Sequence, residues 1–244
     1  MTASAADMIW NGVAATAQVV FAVRFLWQWI ISERRRESVV PPIFWYFSLA
    51  GGVLLSTDHC ATWKAISKGF PGNKPCVSIA VDFGSPPEKR VLYASVFGEG
   101  VFKSGDGGQT WEKKSKGLGR SDNMHCYAIR MGENGALYCL VTGKRKGLEF
   151  NPPGGLWVSR DGAENWTELT KGQTIYWPTE FALHPKDPQT LLLAAADVPQ
   201  RQPSSGGLWK TTDGGATWAL VMNNKNFNPA LCGFVHSFQP WFDP

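Results

Sequence analysis

The chain lacks a strong charge of either sign: 24 Lys and Arg stand against 20 Asp and Glu, a net +4 over 244 residues. A surface so nearly balanced lacks the electrostatic footprint of a nucleic-acid binder, so no nucleic acid is expected as a partner. Cysteine is scarce, and Cys60, Cys76, Cys126, Cys139 and Cys232 contain no C-x-x-C pair, which argues against zinc. His59, His125, His184 and His236 fall far apart with no ligand spacing, so neither a metal nor any other cofactor is expected. Cys126 and Cys139 sit on segments that can form neighbouring strands. Two buried free thiols is the favoured reading, and a disulfide in an oxidising compartment the other. Long apolar runs are absent as well, except near the amino terminus.

That run, Ile9 to Ile31, carries a single full charge at Arg24 and exceeds the roughly 20 apolar residues needed to cross a hydrocarbon core. Its lead-in has Asp7 and neither Lys nor Arg, unlike a secretory signal. As a helix it places Arg24 and Gln28 four apart on one face; with Gln18 they are a candidate polar lining, unless Arg24 simply reaches the interface. Arg34, Arg35 and Arg36 follow, and basic residues beside a span favour the cytoplasmic side. Ile43 to Leu55 is a second, shorter apolar stretch. If it spans, the rest of the chain is periplasmic; if it does not, cytoplasmic.

Glycine and tryptophan are what the chain has in quantity, 26 and 12 of them, and they recur in one pattern. Gly52 to Trp63, Gly100 to Trp111, Gly155 to Trp166 and Gly207 to Trp218 are four copies of a single segment about fifty residues apart, a period of solenoids and propellers. Each has a short strand, a hydroxyl residue (Ser56, Ser104, Ser159, Thr211), an Asp two further on (Asp58, Asp106, Asp161, Asp213) and a Trp (Trp63, Trp111, Trp166, Trp218) five after the Asp. Ser, Thr and Asp side chains accept from nearby backbone N–H groups and Gly supplies positive φ, so each copy is expected to be a tight corner between two strands, covered by its Trp. His59 and Cys60 replace the glycines of the first copy; Ala163 and Asn165 alter the third. These Asp residues are expected to be structural.

These segments resemble the Asp box of β-propellers in sialidases, sortilin-type receptors, xyloglucanases and bacterial repeat proteins. Gln18, Phe21, Arg24 to Leu26, Gln28 to Ile30, Ser32 to Arg34, Ser38 to Pro41 and Phe44 to Gly52 in turn resemble the lipid-A-disaccharide synthase N-terminal domain family. That resemblance implies a small helical module in the inner membrane of Gram-negative bacteria, with Gln18, Arg24, Gln28 and Arg34 as its polar residues, and an association with lipid A biosynthesis. It supplies no transferase domain. The two resemblances meet at Gly51 to Leu55, a string claimed both by a helix and by a strand, which reads as a fusion point.

The expected fold is therefore an N-terminal α-helical membrane segment of one to two helices, residues 1–52, followed by an all-β part, residues 53–244. The all-β part would be an incomplete or minimal Asp-box β-propeller of about 3–4 blades. Sialidase chemistry would need three converging arginines and a Tyr–Glu pair, and the Arg-Ile-Pro signature is missing. Hydrolysis by two opposed carboxylates has Asp82, Glu88, Asp122 and Glu180 to draw on, but no pair is marked. The leading expectation is a membrane-anchored protein whose propeller binds a glycan or a protein, partnered by the bilayer and lipid A pathway components. The alternatives are a fragment of an Asp-box glycoside hydrolase, or a fusion of functionally unrelated halves.

Overall fold

The computed structural model describes residues 53–55, 62, 64–66, 68–71, 74–120, 122–147, 149–173, 175–197, 206–223, 240 and 242. The chain divides into two units, Met1–Gly51 and Gly52–Pro244, and every described residue belongs to the second.

Two strands open it, β1 (Leu54–Leu55) and β2 (Lys64–Ala65), paired with each other. Next come β3 (Cys76–Asp82), β4 (Val91–Val96), β5 (Gly100–Ser104) and β6 (Glu112–Lys113), an antiparallel sheet in chain order. The second sheet holds β7 (Cys126–Met131) and β8 (Leu137–Val141). A small hairpin of β9 (Arg145–Lys146) and β10 (Glu149–Phe150) is inserted before the sheet resumes with β11 (Gly155–Ser159) and β12 (Thr167–Glu168). The third holds β13 (Trp177–Leu183), β14 (Leu191–Ala196), β15 (Gly207–Thr211) and β16 (Ala219–Met222). Three four-stranded sheets with short turns are three blades, and β1–β2 is the outer half of another.

The repeat is kept to the residue. Leu54 pairs with Ala65, Phe102 with Lys113 and Trp157 with Glu168; in each pair the second residue stands two after the Trp of its copy. The residue after that donates its N–H back to the incoming strand: Ile66 to Val53, Lys114 to Val101, Leu169 to Leu156.

Central strands such as β8 are buried at every residue because a blade covers each face, which explains their unbroken apolar runs. The cores lie in the seams between blades. Tyr93, Val101, Ile129, Cys139 and Trp157 fill the first–second seam. Tyr138, Leu156, Phe181 and Leu193 fill the second–third. Val53 and Ile66 of the half-blade cover Leu92, Ala94 and Phe102 of the first blade.

The expected N-terminal helical segment is overturned as part of this fold. The described residues are all-β apart from the 3-10 turn Pro87–Lys89, and among them no helix is long and apolar enough to cross a membrane. Of the string Gly51 to Leu55, claimed by both a helix and a strand, Leu54–Leu55 are strand. Pairing with Lys64–Ala65 and the Ile66-to-Val53 bond use the backbone groups a helix would need, a choice made ten residues downstream. The second apolar stretch before Val53, and Gln18, Arg24, Gln28 and Arg34, lie outside the described residues.

Candidate functional site

The repeated corner is the most regular polar structure in the protein. In its second copy the buried Ser104 hydroxyl donates to Asp106 Oδ1 (2.7 Å) and accepts the Gly108 N–H (2.8 Å). Asp106 in turn accepts the Thr110 N–H (2.9 Å) and hydroxyl (2.5 Å). Thr211, Asp213, Gly215 and Thr217 repeat this set. In the third copy Asn165 replaces the threonine, and its amide Nδ2 donates to Asp161 Oδ2 (2.8 Å), while Ser159 accepts from Ala163 (2.9 Å). The altered third copy thus keeps these four bonds. Ser56, Asp58 and Trp63 lie outside the described residues.

These donors stabilise the ionised carboxylates. The side-chain donors Thr110, Asn165 and Thr217, first among the causes, lower Asp106, Asp161 and Asp213 to about 2. A carboxylate so held is a poor proton donor or acceptor near neutrality. Its chemistry is to bind its own turn.

Each tryptophan does more than cover its corner. Trp111 Nε1 donates to Ile66 O (2.6 Å), Trp166 Nε1 to Lys114 O (2.9 Å) and Trp218 Nε1 to Leu169 O (3.0 Å). Every acceptor belongs to the preceding blade, so each indole is a clamp across a seam.

A second repeated motif escaped the sequence reading. Four residues after each of the first three Trp stands a hydroxyl residue followed by Lys-Gly: Ser67, Ser115 and Thr170. Ser115 Oγ accepts the Val101 N–H (2.9 Å) and donates to Val101 O (3.1 Å); Thr170 Oγ1 accepts the Leu156 N–H (3.1 Å). These bonds pin the end of one strand to the start of its neighbour. Gly100 and Gly155 precede the pinned residues because a Cβ there would strike Ser115 and Thr170. The signal was present at the same fifty-residue period, but Ser-Lys-Gly has no conspicuous side chain.

The turns β3–β4, β5–β6 and their counterparts occupy one end of the blades. At the other end the loops carry a different set of groups. The β9–β10 hairpin is tied down by Phe150, buried and stacked on Trp177 of the third blade at 4.6 Å, while Arg145, Lys146 and Glu149 on it are exposed. Nearby, Phe97 stacks on His125 at 4.4 Å, and Lys144 pairs with Asp122. Burial first, then the Lys144 charge, lowers the His125 pKa. Asn123, fully buried, donates to Thr142 O (2.9 Å) and accepts the His125 N–H (3.2 Å), holding the first-to-second-blade connection against this rim.

The other candidate catalytic groups do not converge among the described residues. Asp82 accepts the Gly84 N–H (2.9 Å), Glu180 pairs with Arg130 (3.0 Å) and Asp122 with Lys144. Arg120 is held by Glu168, and Arg90 by carbonyls of its own turn. No group of His, Cys, Asp and Glu among the described residues could hold a metal ion. Cys126 and Cys139 are free and buried in the first seam.

Comparison with known proteins returns two unconnected likenesses. Residues 13–62 match the family model of the Lipid A Biosynthesis N-terminal domain, a match that runs into the first Asp box. The fold is similar to a GH74 enzyme from Niastella koreensis, with a TM-score of 0.57 and 18% identity over 71% of this chain and 27% of that one. It is also similar to the GH74 xyloglucanase from Xanthomonas campestris, with a TM-score of 0.50 and 21% identity over the same shares. The chain thus spans about a quarter of the length of these structures, 27%, and the likeness is one of fold. No curated protein sequence matches it.

Proposed function

We propose that this chain is a two-part binding protein of the bacterial inner membrane. Its N-terminal module associates it with the lipid A biosynthetic machinery, and its blades present a surface for a glycan or a protein. The match over residues 13–62 supports the first part. The inserted β9–β10 hairpin carries the second. In repeat folds, insertions gather on the loops of one face, often the binding face. This one adds nothing to the ladder of its blade, where Gly155 pairs directly with Val141, yet the Phe150–Trp177 stack fixes it across two blades. Rigid placement of exposed polar groups beside the half-buried Trp177 ring suits recognition of a sugar or a polar protein surface.

The test replaces Lys144 to Pro153 by a short Gly-Ser link and screens both forms of the full-length chain on a glycan array. Membranes are screened alongside by cross-linking. Specific binding that disappears with the hairpin, while the far-UV spectrum is kept, is the expected result. Binding indifferent to the hairpin would refute the surface, and absence of lipid A pathway proteins from the cross-links would refute the association. Protease treatment of spheroplasts reports which side of the membrane carries the blades.

A further inference from the structure

A cavity of about 270 Å³ opens between the β7–β8 turn of the second blade and the β13–β14 turn of the third, close to the lower end of small-molecule sites, roughly 300–1,000 Å³. It lies at the Asp-box end, away from the hairpin rim. Leu183, Leu191, Pro185 and Pro188 give it an apolar wall. Among the described residues its polar side chains are Glu133, Asn134, Tyr138, His184, Lys186 and Thr190. Tyr138 is buried, with its hydroxyl beside the Asn134 amide. His184 Nδ1 accepts the N–H groups of Lys186 (3.2 Å) and Asp187 (3.0 Å), so in the neutral ring the proton is on Nε2, which has no partner among the described residues. The Phe242 ring packs against this imidazole at 4.7 Å and fixes its plane.

Glu133 of one blade and Lys186 of the other also line the cavity. Both are exposed, and neither has an ion pair among the described residues. A carboxylate on one wall and an ammonium on the other, too far apart to satisfy each other, complement a ligand that carries both charges. We propose that this cleft binds a free α-amino acid with an apolar side chain. The ligand carboxylate meets Lys186 and the Nε2–H of His184, its ammonium meets Glu133, and its side chain lies along the prolines and leucines. The site shares no residue with the hairpin rim and stands or falls without it.

The test titrates the full-length chain with L-phenylalanine, its carboxamide and its N-acetyl derivative, following amide shifts at Gly132 to Gly135 and His184 to Thr190. Phenylalanine is expected to bind, and each derivative about tenfold or more weaker, as the loss of a charge-assisted contact requires. Lys186→Met should bind phenylalanine and its amide alike, and Glu133→Gln phenylalanine and its acetyl form alike. Both side chains are exposed, so unchanged signals elsewhere certify the fold. Absence of shifts at millimolar ligand, derivatives that bind as well as the parent, or variants that keep the wild-type preference would each overturn the proposal. Equal binding of the acetyl form alone would make this a carboxylate site and not an amino-acid site.

Discussion

The third copy of the corner has Ala163 where the second and fourth have Gly108 and Gly215, and Ala163 takes a φ of 75°, a region that costs a residue with Cβ about 1 kcal/mol or more. The preceding blade accounts for the exchange. A Cβ on Gly108 would run into Ile66, and one on Gly215 would sit 3.0 Å from Leu169. At the equivalent place before Ala163 stands Lys114, an unbranched stem. Gly108→Ala should therefore destabilise by about 2 kcal/mol or more, from strain and overpacking together. Ala163→Gly should be near neutral, within about 1 kcal/mol, because relief of φ offsets the loss of a buried methyl. Urea midpoints at constant slope check both. Acid acts on the same corners. Asp106, Asp161 and Asp213 are lowered from 3.8 to about 2 by their hydrogen bonds, so the folded state binds their protons less readily than the unfolded chain. Their stabilisation is complete above pH 3.8 and is lost as pH falls towards 2. Carboxyl NMR titration should show three carboxylates ionised at pH 3. A normal titration of all three would refute these bonds in solution.

At the level of the blade, the clamp decides how the strands are used. Trp166→Phe keeps an apolar ring but leaves Lys114 O without its donor, a loss of about 1–2 kcal/mol for a buried bond. Amide exchange should quicken at the seam, around Leu118 and Ile129, before it quickens in β13–β14. Uniform acceleration would mean that the indole only fills space. The corner itself was legible in the sequence because its chemistry is local: Ser104, Asp106 and Thr110 find one another within seven residues. The acceptors of the indoles were not, since Ile66, Lys114 and Leu169 lie 45, 52 and 49 residues away. Val-Leu-Leu alone suits a helix as well as a strand; pairing of Leu54–Leu55 with Lys64–Ala65 made that choice. The amino-acid cleft was hidden for the same reason, because Glu133 and Lys186 come to line one cavity only when two blades pack. His184 is a turn residue by its Nδ1 bonds, and its Nε2, without a partner among the described residues, becomes visible only beside the cavity.

The whole β unit is a row of seams, and its stability is a sum of neighbouring contacts more than of one central core. Cys126 and Cys139 make this measurable. Both are fully buried in the first–second seam, and burial pushes the Cys139 thiol well up. Cys76 is half-buried at the start of β3, its thiol raised to about 11 by burial, against a hydrogen bond to Ser78 that lowers it. Neither buried thiol reacts until the first and second blades part, whereas Cys76 needs only the start of β3 to fray. Peptide-resolved alkylation in rising urea should therefore label Cys76 first, and Cys126 with Cys139 together at a single later midpoint. If the seams are independent, that midpoint falls below the loss of β13–β14 structure in far-UV and exchange data; if the clamps couple them, the two coincide. Trp166→Phe should lower the cysteine midpoint relative to the β13–β14 transition, and Trp218→Phe should lower the β13–β14 transition instead, because only the former clamps the seam that holds both cysteines. Labelling of Cys139 ahead of Cys126 would mean that β8 leaves its sheet before the blades separate, and the seam would not be the unit of unfolding.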